Sequence, residues 1–164
     1  MRLFLATAII FSTLVIDLLS KWFIETHVTR LIPVVPSFNI TLGYNRGVSF
    51  GLFSSDSPYA PFVLSAVALV IVIVLSVALW RSNSLVQSAG FAAIIGGAIA
   101  NVVDRLDDGA VTDFLDFYVG QYHWPTFNFA DTFIFCGVAL LFFPYARVET
   151  TADLESEQQS SRVP

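Results

Sequence analysis

The stretch from Pro61 to Trp80, PFVLSAVALVIVIVLSVALW, contains only Ser65 and Ser76 as polar interruptions. A transmembrane helix needs about 20 predominantly apolar residues, so this stretch predicts one membrane span. The whole chain has the same character, because 55% of its 164 residues are hydrophobic and 13% are charged. An average soluble domain has about 25% charged residues. The composition therefore excludes an ordinary soluble enzyme, a disordered protein and a secreted disulfide scaffold, and it predicts a membrane protein.

Three other segments are long and apolar enough to cross a bilayer: Leu3 to Ile24, Leu85 to Val103 and Phe127 to Ala146. Four spans place both termini on the same side of the membrane, and the short connection 81–84 predicts a tight hairpin of the second and third spans. Counting basic residues does not orient the bundle, because the two sides tie: Arg2, Arg81, Arg147 and Arg162 lie on the terminal side, and Lys21, Arg30, Arg46 and Arg105 on the other.

Charge and cysteine content exclude further classes of protein. Eight Lys and Arg residues against 13 Asp and Glu residues argue against a nucleic-acid-binding protein, which needs a basic patch. The single cysteine, Cys136, excludes an intrachain disulfide and a multi-cysteine metal cluster. His27 and His123 show no metal-ligand spacing, either with each other or with acids. We therefore expect neither a metal site nor a cofactor.

The connection between the first two spans contains a strand pattern. Asn39 to Asn45 alternates polar and apolar residues, and Arg46-Gly47 supplies a turn signal before Val48-Ser49-Phe50. This pattern predicts a short amphipathic β-hairpin at the membrane surface.

The connection from Asp104 to Pro125 is acidic and aromatic, and we expect it to form a loop. Its acids are expected to be solvated: Asp104, Asp107, Asp108 and Asp116. The tail from Glu149 to Pro164 is polar and acidic, which predicts disorder.

Polar side chains within the spans are informative, because an Asp, Lys or Arg at a helix centre costs about 2.5–3.5 kcal/mol on insertion scales. They cluster toward the two longer connections: Asp17 and Lys21 in the first span, Asn101 and Arg105 at the end of the third, Asp113 in the connection, and Asn128 and Asp131 at the start of the fourth. The four-residue spacings place partners on one helical face. We therefore predict one polar pocket between the helices, just below that surface.

Several of these residues also have a purely structural interpretation. Asp17 and Lys21 can form an ion pair that only stabilises the helices. Asn128 followed by Asp131 is typical of a helix N-cap with a favourable acid in the first turn. Spacing alone leaves both interpretations open.

The candidate chemistry is hydrolysis by carboxylates. We expect no serine-hydrolase nucleophile elbow, and the zinc-peptidase motif His-Glu-x-x-His is absent from the sequence. Two Asp residues that share a proton can activate water, but spacing does not select one pair. The alternative function is a small ion-coupled transporter or channel subunit that uses Asp17, Lys21 and Asp131 as a proton relay. A structural membrane scaffold is the third class.

Five motifs occur in order along the chain: Asp17-Leu-Leu-Ser-Lys21-Trp22, Asn45-Arg-Gly-Val-Ser-Phe-Gly51, Gly97-Ala-Ile-Ala-Asn101-Val-Val-Asp-Arg105, Val111-Thr-Asp113-Phe114 and Phe127-Asn-Phe-Ala-Asp131. Together with the four predicted spans and the chain length, this set closely resembles the bacterial lipoprotein signal peptidase (signal peptidase II) family. The resemblance covers residues 3–146. Two positions depart from the family pattern: Val48-Ser49 stands where Ala-Ala is usual, and Ala100 precedes Asn101 where Gly is common.

The resemblance implies a mainly α membrane protein with four transmembrane helices and a small extracytoplasmic β-cradle. Residues 1–148 would form the peptidase domain, with the cradle at 31–53, and residues 149–164 a cytoplasmic tail. The implied location is the bacterial inner membrane, multi-pass, with both termini cytoplasmic and the active site near the extracytoplasmic face. This orientation would resolve the tie in basic residues.

The activity implied by the resemblance is that of an aspartyl endopeptidase, which cleaves the signal peptide from diacylglyceryl-modified prolipoproteins on the amino-terminal side of the lipidated cysteine. Asp113 and Asp131 match the catalytic pair. The other matched residues order the site or contact the substrate: Asn101, Arg105 and Asn128 line the site, Asp17 with Lys21 supports it, and Asn45 contacts the substrate. The implied partners are these prolipoproteins, membrane lipid and globomycin-type inhibitors.

Overall fold

The computed structural model describes residues 1–47 and 58–142. Their elements are α1 (Arg2–His27), β1 (Ile32–Val35), β2 (Phe38–Asn45), α2 (Ala60–Arg81), α3 (Leu85–Asp108), β3 (Val111–Val119), β4 (Tyr122–His123) and α4 (Phe129–Phe142). The fold is mainly helical with a small antiparallel sheet, as expected. Val48-Ser49 and the tail 149–164 lie outside the described residues.

Helices α1, α2 and α3 are long and apolar enough to cross a membrane, with 26, 22 and 24 residues. These three candidate spans coincide with the first three predicted spans. Many large apolar side chains of α2 point away from the rest of the protein, and Phe62 and Ile73 are 62% and 65% exposed. An apolar outer surface of this kind suits contact with lipid, because lipid tails are as apolar as these side chains.

Helix α4 is described for 14 residues, which is shorter than the roughly 20 residues of a membrane span. The predicted span from Phe127 to Ala146 extends past Phe142, where the described residues end. The fourth span therefore stays a prediction.

Helix α3 lies at the centre of the bundle and packs against α1, α2 and α4. Glycines allow α4 to approach it closely: a Cβ on Gly97 would lie 2.5 Å from Ala130 O, and one on Gly90 would lie 2.9 Å from Gly137 O. Membrane helices associate largely through such close packing. The glycines thus set the distance between α3 and the start of α4.

The short connection between α2 and α3 confirms the predicted hairpin of these two helices. Ser84 caps α3, since its hydroxyl oxygen accepts the Gln87 N–H at 3.3 Å. The Arg2 guanidinium donates to Asn83 Oδ1 and to Trp80 O, both at 3.2 Å. These contacts place the start of α1 at the same end of the bundle as the connection.

The sheet has the strand order β1-β2-β3-β4, and all neighbouring strands are antiparallel. Strand β2 confirms the predicted strand at Asn39 to Asn45, but its observed partners differ from the expected one. One turn joins it to β1 and contains Ser37, whose φ is 71°. On its other side β2 pairs with β3, with Gly43 opposite Asp113. The expected return strand Val48-Ser49-Phe50 lies outside the described residues.

The prediction of a loop from Asp104 to Pro125 is wrong for most of its length. Helix α3 continues to Asp108, and β3 occupies Val111–Val119. The first six residues of β3 are buried, so the strand lacks the polar–apolar alternation by which a half-buried strand is recognised. Its acidic residues gave the opposite impression, that of an exposed segment.

The sheet packs against the helix bundle beside the start of α4. Ile24 and Val28, at the end of α1, belong to one apolar cluster with Phe114 and Leu115 of β3. Phe127 O accepts the N–H groups of Phe114 and Leu115 at 3.0 and 2.8 Å. The strand that carries Asp113 therefore lies directly beside the segment that leads into α4.

We expect Gly97→Ala to destabilise the bundle, because the added methyl group meets backbone atoms that cannot move alone. Its nearest neighbour, Ala130 O, lies 2.5 Å from the position of the new Cβ. Overpacking of this kind costs about 1–3 kcal/mol, so thermal melts in detergent should show a lower midpoint. Gly43→Ala is the control, because its Cβ would meet nothing closer than 3.5 Å. Equal midpoints for the two variants would contradict this packing.

Candidate active site

Polar side chains from α1, α3, the start of α4 and the sheet converge at one end of the bundle. The structure brings all eight residues predicted for the site into one connected network of hydrogen bonds and ion pairs: Asp17, Lys21, Asn45, Asn101, Arg105, Asp113, Asn128 and Asp131. The prediction of a single polar pocket is consistent with this arrangement.

The Lys21 ammonium is the centre of the network. Its Nζ lies 2.8 Å from Asp17 Oδ2 and 3.1 Å from Asp104 Oδ2, and it donates to Asn101 Oδ1 at 2.9 Å. The side chains of Lys21 and Asp17 are 2% and 0% exposed. The expected ion pair of Asp17 and Lys21 is therefore present, and Asn101 connects it to the rest of the pocket.

Asn101 links Lys21 to Asp131. Its Oδ1 accepts from the ammonium, and its Nδ2 donates to Asp131 Oδ1 at 2.8 Å. An ammonium can only donate, so Lys21 fixes which end of the Asn101 amide faces it. The orientation of Asp131 thus depends on Lys21 through a single amide.

Asn128 has both the structural and the site contacts considered from the sequence. Its Oδ1 accepts the Asp131 N–H at 2.9 Å, which is an N-cap interaction with Asp131 in the first turn of α4. Its Nδ2 donates to Asp113 Oδ1 at 2.8 Å and to Asn101 Oδ1 at 3.2 Å. One side chain therefore holds together the two segments that carry Asp113 and Asp131.

Asp113 lies in β3, outside the helical spans, and is 2% exposed. Asn45 Nδ2 donates to its Oδ2 at 3.1 Å, opposite the contact from Asn128. Burial, and then the negative charge of Asp131, raise the pKa of Asp113 to about 7, although the two hydrogen bonds oppose this rise. The raised pKa favours the protonated form of Asp113, as expected for one of two interacting carboxyl groups.

Arg105 contacts the backbone that follows β2. Its Nη2 donates to Gly47 O at 3.4 Å, and the Gly47 N–H donates to Asn45 Oδ1 at 3.1 Å. Arg105 Nε is buried and has no hydrogen-bond partner within residues 1–47 and 58–142. Arg105 thus supports the position of Asn45, which in turn donates to Asp113.

Asp104 also belongs to this polar network, and the sequence analysis did not place it there. It is 6% exposed, so the expectation that it is solvated is wrong, whereas Asp107 and Asp108 are exposed as expected. Its Oδ2 accepts the Thr112 N–H at 2.7 Å and also faces Lys21. The sequence feature that could have indicated this position is its spacing of three residues from Asn101, which places both side chains on one face of α3.

Asp116 was also expected in solvent and is 3% exposed. Its Oδ2 accepts from Asn39 Nδ2 at 2.8 Å, and its Oδ1 lies 2.7 Å from His123 Nδ1. Burial alone would raise the pKa of Asp116, but the contacts with Asn39 and His123 outweigh burial and lower it. His123 therefore has an acidic partner that the sequence spacing did not indicate, and this cluster joins β2, β3 and β4.

Three acids have a spacing that a cation could use. Single carboxylate oxygens of Glu25, Asp104 and Asp108 lie within 4.8 Å of one another. Asp104 already faces the Lys21 ammonium, and Glu25 accepts from the hydroxyl of Thr112. The Lys21 ammonium and the Thr112 hydroxyl therefore already bind the two carboxylates that a cation would need as ligands, so we assign no metal to this group.

Contrary to expectation, the spacing Gly-x-Ser-x-Gly of serine hydrolases does occur, at residues 47–51. A nucleophile elbow requires a strand-to-helix turn around the serine. Of this segment only Gly47, two residues after β2, is among the described residues. The motif therefore supports no assignment.

We expect Lys21→Met to destabilise the protein more than Asp17→Asn. Removing the ammonium leaves two buried carboxylates, Asp17 and Asp104, without their counter-charge, whereas Asp17→Asn leaves Lys21 paired with Asp104. Breaking a buried pair by removing one partner costs about 3–5 kcal/mol. Thermal melts in detergent compare the two variants. The melting midpoint of the double variant, Asp17→Asn with Lys21→Met, should be no higher than that of Asp17→Asn alone. A Lys21→Met protein with the wild-type midpoint would contradict the pairing of Lys21 with Asp17 and Asp104.

Stability should depend on pH through Asp113. Because its pKa is raised from 3.8 to about 7 by folding, the folded protein binds more protons than the unfolded chain between these values. The stability contributed by this group is therefore complete below about pH 4 and is lost as the pH rises through about 7. Melting midpoints of wild type and Asp113→Asn, measured between about pH 5 and about pH 8, should shift in favour of the variant as the pH rises. A difference that is independent of pH would contradict the raised pKa.

Comparison with known proteins identifies the family. The model of the signal peptidase (SPase) II family matches residues 9–147. The lipoprotein signal peptidases of Yersinia enterocolitica and Yersinia pestis are each 38% identical to the chain over 133 residues, which cover 79% of this chain and 79% of each relative.

Two solved structures, each described as a bacterial membrane enzyme studied by the in meso method, have the same fold. The structure at 1.9 Å resolution has a TM-score of 0.74 and 25% identity, covering 87% of this chain and 93% of the other. The structure at 2.3 Å has a TM-score of 0.73 and 24% identity, covering 97% and 93%. Since the family model spans most of the sequence and the relatives match along most of their own length, the chain belongs to the signal peptidase II family of membrane peptidases, which cleave the signal peptides of lipoproteins.

Proposed function

We propose that this signal peptidase is an aspartic endopeptidase in which Asp113 and Asp131 form the catalytic pair. The main support is that one side chain, Asn128, connects the carboxylate of Asp113 in β3 to the backbone of Asp131 in α4. Asn128 donates to Asp113 and accepts the backbone N–H of Asp131. A pair that shares a proton needs such a fixed relation between its carboxyl groups.

The proposed reaction is general acid–base hydrolysis. The charge of Asp131 favours the protonated form of Asp113, whose pKa of about 7 leaves it able to give up that proton. The ionised member of the pair takes a proton from the attacking water, and the protonated member donates its proton to the leaving amide nitrogen.

The proposed substrates are prolipoproteins with a diacylglyceryl-modified cysteine, cleaved on the amino-terminal side of that cysteine. Asn45 lies against Asp113, and Arg105 holds the backbone beside Asn45. This position supports a role of both residues in binding the substrate backbone. The acyl chains would stay in membrane lipid while the substrate enters between the helices, and globomycin-type inhibitors would occupy the same place. No cofactor or metal takes part in the proposed reaction.

The proposed location is the bacterial inner membrane, with both termini cytoplasmic and the catalytic pair near the extracytoplasmic face. Arg2 contacts the connection between α2 and α3, so the chain begins at that end of the bundle. The catalytic pair lies at the opposite end, beside the sheet, which would be the extracytoplasmic β-cradle. The proposal includes a fourth span that continues α4 past Phe142, a peptidase domain at residues 1–148 and a cytoplasmic tail at 149–164.

The alternative function, an ion-coupled transporter or channel subunit, has no support in the comparisons. A proton relay needs ionisable groups spread along the span. Asp17, Lys21 and Asp131 instead lie together at one end of the described helices and are held by Asn101 and the start of α4.

Asp113→Asn and Asp131→Asn should each abolish cleavage of a diacylglyceryl-modified lipoprotein precursor by the purified protein in detergent. Asn is nearly isosteric with Asp but cannot exchange the proton that hydrolysis requires. Asp107→Asn is the matched control, because Asp107 is exposed near the end of α3 and should tolerate the change with wild-type turnover.

Thermal melts of the same preparations establish that each variant is folded. Turnover above a few per cent of wild type in either folded variant would overturn the assignment of the catalytic pair. Loss of turnover in Asp107→Asn as well would show that the assay reports general damage to the protein.

A further inference from the structure

We propose that Asp104 is a positioning residue of this peptidase, which holds Asp113 in its working position through the backbone N–H of Thr112. This inference rests on the proposed role of Asp113 and Asp131. It assigns a function to an acid that the sequence pattern placed among the solvated residues at the end of α3.

The contacts of Asp104 distinguish it from its neighbours on the same helix. Its side chain is 6% exposed, while Asp107 and Asp108 are exposed. A single oxygen, Oδ2, accepts the Thr112 N–H at 2.7 Å and lies 3.1 Å from Lys21 Nζ. The carboxylate thus joins the strand β3 to the ammonium at the centre of the network.

Each polar group of Thr112 forms a hydrogen bond. Its N–H donates to Asp104, its hydroxyl donates to Glu25, and its carbonyl oxygen accepts from Asn128 Nδ2 at 3.2 Å. Thr112 is 0% exposed and directly precedes Asp113. Because the two residues share a peptide bond, a shift of the Thr112 backbone moves the Cα of Asp113 with it.

The same ammonium also orients the second carboxylate. Lys21 donates to Asn101, and Asn101 donates to Asp131. Lys21 is therefore connected to Asp113 through Asp104 and the Thr112 peptide, and to Asp131 through Asn101. Asp104 and Asn101 lie three residues apart on one face of α3, so one helix face sets the position of both carboxylates.

Two substitutions separate positioning from simple loss of charge. Asp104→Ala removes the acceptor of the Thr112 N–H. Asp104→Asn keeps one oxygen that can occupy the place of Oδ2 and face both Thr112 and Lys21, so it conserves the geometry while removing the charge. Asp116→Ala is the matched control, because Asp116 is a buried acid of the same sheet that contacts Asn39 and His123 and not Thr112.

The experiment measures kcat and KM per folded molecule on a diacylglyceryl-modified precursor, together with thermal melts. A displacement of about 1 Å in a catalytic geometry lowers the rate by about 100-fold. We expect Asp104→Ala to lower kcat by about 10- to 100-fold with KM nearly unchanged. Asp104→Asn should recover most of kcat, and Asp116→Ala should lower the melting midpoint while folded molecules keep their kcat.

Amide hydrogen exchange of the segment around Thr112 provides a readout that is independent of turnover. Exchange at the Thr112 N–H should accelerate in Asp104→Ala and stay slow in Asp104→Asn, because only the first variant removes the acceptor. Unchanged exchange in Asp104→Ala would overturn the proposal.

The kinetic outcomes are also decisive. An unchanged kcat in folded Asp104→Ala, or an equal fall of kcat in Asp116→Ala, would overturn the proposal. If Asp104→Ala does not fold, Asp104→Ser is measured instead. The serine side chain is shorter, so its hydroxyl also loses the contact with the Thr112 N–H. If neither variant folds while Asp104→Asn is folded and active, Asp104 is a structural residue and the proposal is overturned.

Asp113→Asn in the same assay separates the positioning role of Asp104 from the proposed catalytic pair. An active Asp113→Asn would overturn the proposed function. An inactive Asp113→Asn beside a fully active Asp104→Ala would overturn the positioning role alone.

Discussion

The arrangement of the helices depends on one buried ammonium group, that of Lys21. A charge in a poorly hydrated interior is unfavourable unless opposite charge and hydrogen bonds surround it. Lys21 obtains these partners from Asp17 on its own helix and from Asn101 and Asp104 on α3, so the ammonium fixes α1 against α3. Asp17 extends the constraint to α4, because its Oδ1 accepts the Ala130 N–H at 2.7 Å. A single charge thereby orders three helices at the end of the bundle where the proposed site lies.

The start of α4 explains how the proposed catalytic pair can be positioned at that end. The first N–H groups of a helix have no partner within the helix and need acceptors when they are buried. Here the residues of the site provide them, since Asp17 accepts from Ala130 and Asn128 accepts from Asp131. The side chains that complete the helix terminus are the same ones that arrange the carboxylates. Removing one of them therefore disturbs the fold and the proposed chemistry together, and a stability measurement must accompany every measurement of activity.

The sequence predicts the features that depend on neighbours along the chain. The first three spans follow from continuous apolar runs, and the contact between Asp17 and Lys21 follows from a spacing of four residues. The features that the sequence did not predict depend on distant partners. Strand β3 has its first six residues buried and so lacks the alternation of a half-buried strand. Asp104 is buried by contacts with Lys21 and Thr112, which lie in other elements. Motif resemblance found the proposed pair, because spacing alone left several candidate pairs of carboxylates.

Apolar packing within the bundle and the polar network at its end are connected by the separation of α3 and α4. Gly97 allows the backbone of α4 at Ala130 to approach α3 so closely that no side chain fits between them. Asn101 lies one turn after Gly97 on α3, and Asp131 directly follows Ala130 on α4. The side-chain nitrogen of Asn101 lies 2.8 Å from a carboxylate oxygen of Asp131. The length of an Asn side chain is fixed, so a wider helix separation would break this hydrogen bond. The distance at which α3 and α4 pack thus determines whether the charge of Lys21 reaches Asp131 through Asn101, and glycine packing in the apolar region is a condition for the proposed chemistry at its boundary.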